Sequence, residues 1–219
     1  MPAVTLKTVK CRAFTLIELL VVMVIIGVLA AILIPVLSKT KFLSKQTACL
    51  SNMRQLAIAF QLFTGDHDYE LPGRVSLPGA NKWPLLLYEY TKTTKVFSAP
   101  GIEEVSGENL DLISNTPNNT SFIMNGYNDL GAYDNPEFKL KVVSITAPSQ
   151  TLLLGMPYAK DNNFYMDYAE NNHGKVLNLK AYGEGSNYVF ADGSSQFIKE
   201  VDYNPLLWAV DKSYTIPTQ

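Results

Sequence analysis

The chain has 219 residues, of which 47% are hydrophobic and 17% charged, and its formal net charge is −2 at pH 7. This length is enough for one domain with a hydrophobic core and a further segment beside it. Non-specific nucleic-acid binding depends on neutralising phosphates with Lys and Arg, so a negatively charged chain is a poor match and we expect no nucleic-acid partner.

The N-terminal region contains an apolar run of membrane-spanning length. From Leu19 to Leu37, nineteen residues carry no charged or polar side chain, and as a helix they would extend about 28 Å. The hydrocarbon core of a bilayer is ~30 Å thick, so we predict a transmembrane helix over residues 14–37. Glu18 stands at the head of this run. A carboxylate beside a membrane span is usually functional, and we expect its own helix to offer it no partner.

Two simpler interpretations of this run are a secretory signal peptide and a plain signal anchor. A signal peptide has an apolar stretch of about 7 to 15 residues followed by a small-residue cleavage site. The run here is longer, and no such site follows Leu37. A signal anchor that holds Glu18 at the level of the lipid headgroups stays open as an alternative.

The residues before and inside the run follow a characteristic order. Basic residues precede a small one, and an aromatic residue, a hydroxyl and an acid then open the run: Lys7, Lys10, Arg12, Ala13, Phe14, Thr15 and Glu18. With Pro35 inside the run, this pattern resembles the class III signal of type IV pilins and type II secretion pseudopilins. The resemblance implies a leader over residues 1–13, cleavage by a prepilin peptidase between Ala13 and Phe14, and N-methylation of Phe14. In relatives the residue before the cut is usually Gly, where this chain has Ala13.

The same resemblance implies how the subunit would assemble. Glu18 becomes the acidic position that pairs with the Phe14 amine of a neighbouring subunit, and Pro35 matches a proline where the helix bends. The implied partners are the prepilin peptidase, copies of this chain and other pilins in a filament, an inner-membrane assembly platform, and the lipid bilayer before assembly. The implied location is a single pass through the inner membrane with the head outside the cytoplasm, and then a periplasmic or cell-surface filament.

Beyond the apolar run the helix is predicted to continue as an amphipathic one. Apolar residues and one glutamine recur at steps of four and three: Phe42, Gln46, Cys49, Met53, Leu56, Phe60 and Phe63. This period predicts a helix over 38–64, which Gly65 and the following Leu-Pro-Gly would end. Residues 65–219 would then form a globular head. The expected fold class is α+β and pilin-like, with the long N-terminal helix packed on an antiparallel sheet that carries long loops.

The head shows one short helix and several strands. The apolar segment 83–90 is predicted to be helical, and residues 122–127, 141–145 and 151–156 are strand candidates. The stretches 99–120 and 128–136 are rich in Gly, Asn, Ser and Pro and are predicted to be surface loops. The clearest local signal is a β-hairpin over 187–201 with a turn at Asp192 and Gly193.

This hairpin carries a second resemblance. The segments 171–174 (Asn-Asn-His-Gly) and 185–193, which ends in Asp-Gly, resemble the prepilin-type processing-associated C-terminal domain, whose signature is a His followed by Asp-Gly. Eighteen residues separate His173 from Asp192, where the family usually has nine, so an insertion would lie within 175–184. The resemblance gives His173, Asp192 and Gly193 no known role.

Candidate chemical sites in the head are sparse. His173 and Asp192 could form a catalytic or metal pair, but two residues do not make a site, and a structural turn is the favoured interpretation. Asp66, Asp68 and Glu70 alternate after the helix and are weak candidates for Ca²⁺ binding through oxygens, against a solvated acidic loop. We expect no bound metal, no catalytic constellation and no cofactor.

The two cysteines fall on either side of the predicted cut. Cys11 lies in the leader, so the processed chain would retain Cys49 alone and could form no internal disulfide. Because Cys49 lies on the apolar stripe, a buried small hydrophobe is its favoured role, and a disulfide between subunits is the alternative.

The sequence therefore predicts a structural subunit, a pilin or pseudopilin that is not an enzyme and that assembles into a type IV pilus-like filament or a type II secretion pseudopilus. The alternative is a membrane-anchored extracytoplasmic ligand-binding or enzymatic domain.

Overall fold

A computed structural model describes residues 15–74, 82–102, 120–132, 135, 138–158, 164–166, 168 and 176–213. The chain divides into two compact units, residues 1–41 and 42–219. The long helix α1, Leu16–Asp66, contributes residues to both. A second helix, α2, covers Trp83–Thr91. The sheet contains β1 (Ile123–Asn125), β2 (Leu152–Gly155), β3 (Tyr165–Met166), β4 (Gly185–Phe190) and β5 (Ser195–Lys199).

In the first unit, α1 presents its apolar side chains outward. All residues from 15 to 45 are exposed, and in the described part of the chain α1 is the helix long and apolar enough to cross a membrane. The helix continues through Pro35, although proline has no N–H to donate to the carbonyl four residues earlier. The Ser38 hydroxyl donates to the Ile34 carbonyl at 3.2 Å, and that of Thr40 donates to Val36 at 2.9 Å. These hydroxyls therefore supply hydrogen bonds to carbonyls on either side of the proline.

In the second unit, α1 buries the predicted stripe against the head. Cys49, Met53 and Leu56 are fully buried, and Phe60 stacks on Trp83 of α2 with ring centroids 6.2 Å apart. The stripe is therefore confirmed over its central part. At its start Phe42 stays 41% exposed.

The sheet has the strand order β3-β1-β2-β4-β5. The pairs β1–β2, β2–β4 and β4–β5 are antiparallel, whereas β3 runs parallel to β1, with Met124 opposite Tyr165. The head is thus α+β as expected, but among the described strands the sheet is mixed rather than purely antiparallel.

Both faces of the central strands are buried. Alternate residues of a strand point to opposite faces. Accordingly, Met124 belongs to the cluster beneath α1, and Ile123 to a second cluster with Leu152, Tyr188 and Trp208. The face of the sheet towards α1 therefore forms one core, and the C-terminal segment around Trp208 covers the opposite face.

The structure confirms the predicted helix at 83–90, the strands within 122–127 and 151–156, and the hairpin. The predicted strand over 141–145 is wrong, because Val142–Ser144 form a 3-10 turn. The Ser144 hydroxyl donates to the Lys141 carbonyl at 2.7 Å and closes this turn. Lys141 alone forms a strand-like bridge, with Glu70.

Candidate assembly site and the C-terminal turn

Glu18 lies in the first turn of α1 and is bound by Thr15, the residue before the helix. Its Oε2 accepts hydrogen bonds from the backbone N–H of Thr15 at 2.9 Å and from the Thr15 hydroxyl at 2.8 Å. The N–H of Glu18 donates to Thr15 Oγ1 at 3.3 Å. This reciprocal arrangement is a capping box, which satisfies N–H groups left free at a helix start. The expectation that Glu18 has no partner in its own helix is therefore wrong.

The capping box could have been found from the sequence. Thr15 and Glu18 are three residues apart at the head of an apolar run, which is the sequence signature of this motif. An acid stands out beside a membrane span, whereas the hydroxyl of Thr15 does not. Ala13 and Phe14, the predicted processing residues, lie outside the described residues.

The surroundings of Glu18 are aliphatic. Ile17, Val21 and Val22 border it on the same helix, and their side chains are exposed. Chemically, the site is a carboxylate acceptor at the end of an apolar rod. Both of its described hydrogen bonds come from within the same turn and use one oxygen, Oε2.

Two of the predicted C-terminal signature residues, Asp192 and Gly193, lie in a structural turn. The N–H of Gly193 donates to the Phe190 carbonyl at 3.0 Å, and the N–H of Phe190 donates to the Ser194 carbonyl at 2.9 Å. Asp192 Oδ1 accepts from the N–H of Ser194 at 2.8 Å. The hairpin loop therefore has three residues and closes on Gly193, whose φ is +84°.

Gly193 also lies against the long helix. A Cβ placed on it would stand 3.1 Å from Cδ of Gln61, with Nε2 closer still. Two constraints therefore favour glycine here, the positive φ and the approach of Gln61. Asp192 and Gly193 are accounted for by the turn. His173 lies outside the described residues, so its pairing with Asp192 stays a prediction.

A small cavity adjoins this turn between α1 and the hairpin. Its volume is about 40 Å³, and Ala57, Phe60, Gln61 and Thr64 of α1 line one side. Ligand sites usually measure about 300 to 1,000 Å³. This cavity has room for water but not for an organic ligand.

The three acidic residues after α1 have different surroundings. Asp66 accepts from the Tyr90 hydroxyl at 3.0 Å, and Glu70 pairs with Lys139 at 2.8 Å. Asp68 is exposed, with a φ of +51°. Nowhere in the described ranges do three His, Cys, Asp or Glu side chains come together as a metal ion would require.

Cys49 is fully buried, as its position on the stripe predicted. Burial raises the pKa of its thiol, while hydrogen bonds with Tyr182 and Asn187 oppose the shift. Asn187 Nδ2 in turn donates to the Gln46 carbonyl at 3.0 Å. A buried thiol with a raised pKa is a poor nucleophile, which disfavours a disulfide between folded subunits.

Comparison with known proteins agrees with the N-terminal features. A family model described as the prokaryotic N-terminal methylation motif matches residues 9–34. The chain is 46% identical over 57 residues to the type IV major pilin protein PilA of Myxococcus xanthus (strain DK1622). That match covers 26% of this chain and 26% of the pilin, so the chain spans about a quarter of the length of this relative. No solved structure matches the chain.

The matched motif ends at residue 34, so the resemblance of 171–193 to the processing-associated C-terminal domain stays a prediction. The N-terminal motif and the apolar helix are consistent with membrane anchoring. The N-terminal part of the chain thus carries the prokaryotic N-terminal methylation motif and is similar to a type IV major pilin, and this part begins a long helix that leads into an α+β head.

Proposed function

We propose that the chain is a structural subunit of a type IV pilus-like filament or a type II secretion pseudopilus, without enzymatic activity. The observation that carries this proposal is the coincidence of the methylation motif at 9–34 with the start of an exposed apolar helix. In the proposal, residues 1–13 are a leader that prepilin peptidase removes between Ala13 and Phe14. Methylation of the new Phe14 amine follows.

The apolar half of α1 requires two successive environments. Seventeen large hydrophobic side chains between residues 16 and 37 are 44–89% exposed. Leaving them in water would cost on the order of 20 kcal/mol, at about 1.5 to 3 kcal/mol per fully buried side chain. Lipid covers them before assembly, and the corresponding helices of other subunits cover them in the filament.

Glu18 then gains a second partner, from a neighbouring subunit. In the single chain its carboxylate is bound by Thr15. Cleavage creates a positively charged amine at Phe14, and in the filament this amine of one subunit pairs with Glu18 of its neighbour. A charge buried without a partner is strongly destabilising. The pair therefore favours neighbours in the correct axial register, and Pro35 provides a point where the helix bends as it packs.

The proposed location follows from this sequence of events. The leader stays in the cytoplasm, the helix crosses the inner membrane once, and the head lies outside the cytoplasm. The assembly platform of the inner membrane then moves the subunit into the filament. Lysines occur on both sides of the apolar run, at residues 7, 10, 39, 41 and 45, so this orientation rests on the similarity to pilins and not on charge.

N-terminal sequencing with intact-mass measurement of the protein from membranes tests the proposal. Methylated Phe14 as the first residue is the expected result. An intact Met1, or a cut after Leu37, would contradict it. Electron microscopy of sheared cell-surface material and of periplasmic fractions, with antibody labelling of this chain, then distinguishes the pilus from the pseudopilus.

A further inference from the structure

The C-terminal segment 205–213 closes the second face of the sheet. Trp208 is fully buried and donates from Nε1 to the Met166 carbonyl at 2.8 Å. The buried side chain of Asn125 donates to the Trp208 carbonyl at 2.7 Å. Ala209 and Val210 are buried as well. The segment leaves this face at Asp211, Lys212 and Ser213.

The side chain of Lys212 turns back onto the segment. Its ammonium donates to three backbone carbonyls, those of Gln150 at 2.7 Å, Leu206 at 2.9 Å and Ala209 at 2.5 Å. An ammonium group has three N–H donors, so every donor is matched by one carbonyl oxygen. We call these three carbonyls the carbonyl cage.

The cage is formed by carbonyls within and just after two short helical turns. Gln150 ends the 3-10 turn Pro148–Gln150, and Leu206 and Ala209 come from the turn Pro205–Trp208 and the residue after it. Carbonyls at the end of a helical turn, such as that of Gln150, have few internal donors and need partners from elsewhere, whereas the Leu206 carbonyl also accepts from the N–H of Ala209 at 3.2 Å. Lys212 supplies those partners and ties the segment 205–213 to the loop before β2.

A carboxylate adds negative charge beside the cage. Asp129 Oδ2 accepts from the N–H groups of Val210 at 2.6 Å and Asp211 at 2.7 Å. Among the described residues its other oxygen, Oδ1, is buried and has no hydrogen-bond partner. Burial lowers the pKa of Lys212 and the nearby charge of Asp129 opposes that shift.

A further turn directs the lysine inward. Asp211 Oδ1 accepts from both the N–H and the hydroxyl of Ser213, at 2.8 and 2.6 Å. The distances from the ammonium to the Gln150 and Leu206 carbonyls, 2.7 and 2.9 Å, are those of charge-assisted N–H···O bonds. Three inward carbonyls beside a carboxylate provide the chemistry that recognises a small cation with N–H donors.

We propose that the carbonyl cage and Asp129 form a monovalent cation site for ammonium-type groups, which the chain fills with its own Lys212 to fasten segment 205–213 over the sheet. The lysine serves as a tethered cation. Removing its side chain exposes the site to small amines from solution.

Hydrogen–deuterium exchange of the full-length protein in detergent, read on peptides covering 205–213, tests this proposal. The amides of Val210 and Asp211 are held by Asp129, so Lys212→Ala should raise their exchange rate about tenfold. Methylammonium should return the exchange of Lys212→Ala toward that of the unaltered chain. Tetramethylammonium at the same concentration carries the same charge without an N–H and should have no such effect.

Two further measurements complete the test. Lys212→Met fills the space without a charge, so its exchange should be raised and methylammonium should not correct it. In the unaltered protein, Lys212 should react with a limited dose of acetic anhydride more slowly than Lys92, whose side chain is 70% exposed. This last measurement needs no variant to fold.

The proposal is overturned if Lys212→Ala exchanges like the unaltered chain or if methylammonium fails to slow the exchange of Lys212→Ala. It is also overturned if methylammonium and tetramethylammonium have the same effect. Equal acetylation rates of Lys212 and Lys92 would also contradict it. Lys180→Ala, which removes an exposed ion pair with Glu200 and no bond to the carbonyl cage, is the matched control and should leave exchange in 205–213 unchanged.

Discussion

At the scale of single residues, Glu18 has a partner in its own chain and a second one only in the proposed filament. In the single chain the Thr15 hydroxyl and N–H satisfy its carboxylate. The proposed filament adds a Phe14 amine from a neighbouring subunit. A carboxylate that is satisfied alone can reside beside lipid, and a charged amine nearby offers it a stronger interaction. Thr15 therefore belongs with Glu18 as part of the candidate assembly site.

Glu18→Ala tests the intersubunit pair. We expect the variant to be cleaved before Phe14, because the cut lies upstream, but to yield far fewer filaments than the unaltered chain. Mass spectrometry of the N-terminus measures the first effect, and the amount of sheared filament measures the second. Glu18→Asp, which keeps the charge, is the control and should assemble better than Glu18→Ala. A normal filament yield from Glu18→Ala would refute the pairing.

A substitution at Gly193 tests the close contact between the hairpin turn and α1. Gly193→Ala places a side chain at a φ of +84° and against Gln61. Gly131 has a similar φ of +79° with nothing within 4 Å, so Gly131→Ala reports the backbone effect alone. We expect Gly131→Ala to lower the free energy of unfolding by about 1 kcal/mol, and Gly193→Ala by more.

Urea unfolding followed by fluorescence measures both variants. Adding Gln61→Ala to Gly193→Ala should bring the loss down to the level of Gly131→Ala. If the double variant stays as unstable as Gly193→Ala alone, Gln61 does not press on the turn.

At the scale of elements, strongly patterned segments could be predicted and segments defined by tertiary contacts could not. The apolar steps of four and three predicted the helix α1 beyond the membrane span, and the Asp-Gly pair predicted the hairpin. The β-branched residues of 141–145 suggested a strand, but Val143 is 72% exposed, and a strand without a buried face gains little from pairing. The two-residue strand β3 and the 3-10 turn at 205–208 carry no periodic signal.

The candidate sites divide in the same way. Glu18 could be found because an acid is conspicuous beside an apolar run. Lys212 could not be found, because its partners are backbone carbonyls whose positions depend on two short turns distant in sequence. Asn125 was missed for a similar reason, although an Asn inside a strand is unusual enough to be a signal.

Asn125→Ala tests the link between the sheet and the C-terminal segment. It donates to the carbonyls of Leu152 and Trp208 and accepts from the N–H of Tyr127, all in the buried interior. Asn125→Ala leaves these groups without partners, so we expect a loss of about 2 to 4 kcal/mol in the free energy of unfolding.

Asn52→Ala is the control for Asn125→Ala. Asn52 also donates to two backbone carbonyls, those of Lys95 and Ser98, but it lies near the surface of the head, where water replaces the lost bonds. Its loss should be about 1 kcal/mol or less. Equal losses in urea unfolding would show that Asn125 does not fasten the segment.

At the scale of the whole molecule, the proposed processing would change both the charge and the thiol content of the chain. Removing residues 1–13 takes away Lys7, Lys10 and Arg12, so the side-chain charge becomes more negative by three. It also removes Cys11 and leaves Cys49, which is buried in the head. The number of reactive thiols therefore reports cleavage.

Maleimide labelling with mass spectrometry measures this number. In denaturant the precursor should take up two labels and the processed chain one. Without denaturant the processed chain should label slowly, because Cys49 is fully buried and burial raises its pKa. Rapid labelling of the native processed chain would contradict the buried position and reopen the disulfide between subunits.

The contact between α1 and the hairpin also determines when the head can fold. Asn187 reaches Gln46 across 141 residues of sequence, and Gly193 lies against Gln61 of the same helix. Contacts so far apart in sequence form slowly, because a long loop must close first. If the head is exported as proposed, the apolar stripe of α1 would cross the membrane long before its cover emerges. A chain stalled before β4 would expose that stripe to chaperones and proteases, so incompletely translocated chains would be removed before they could assemble.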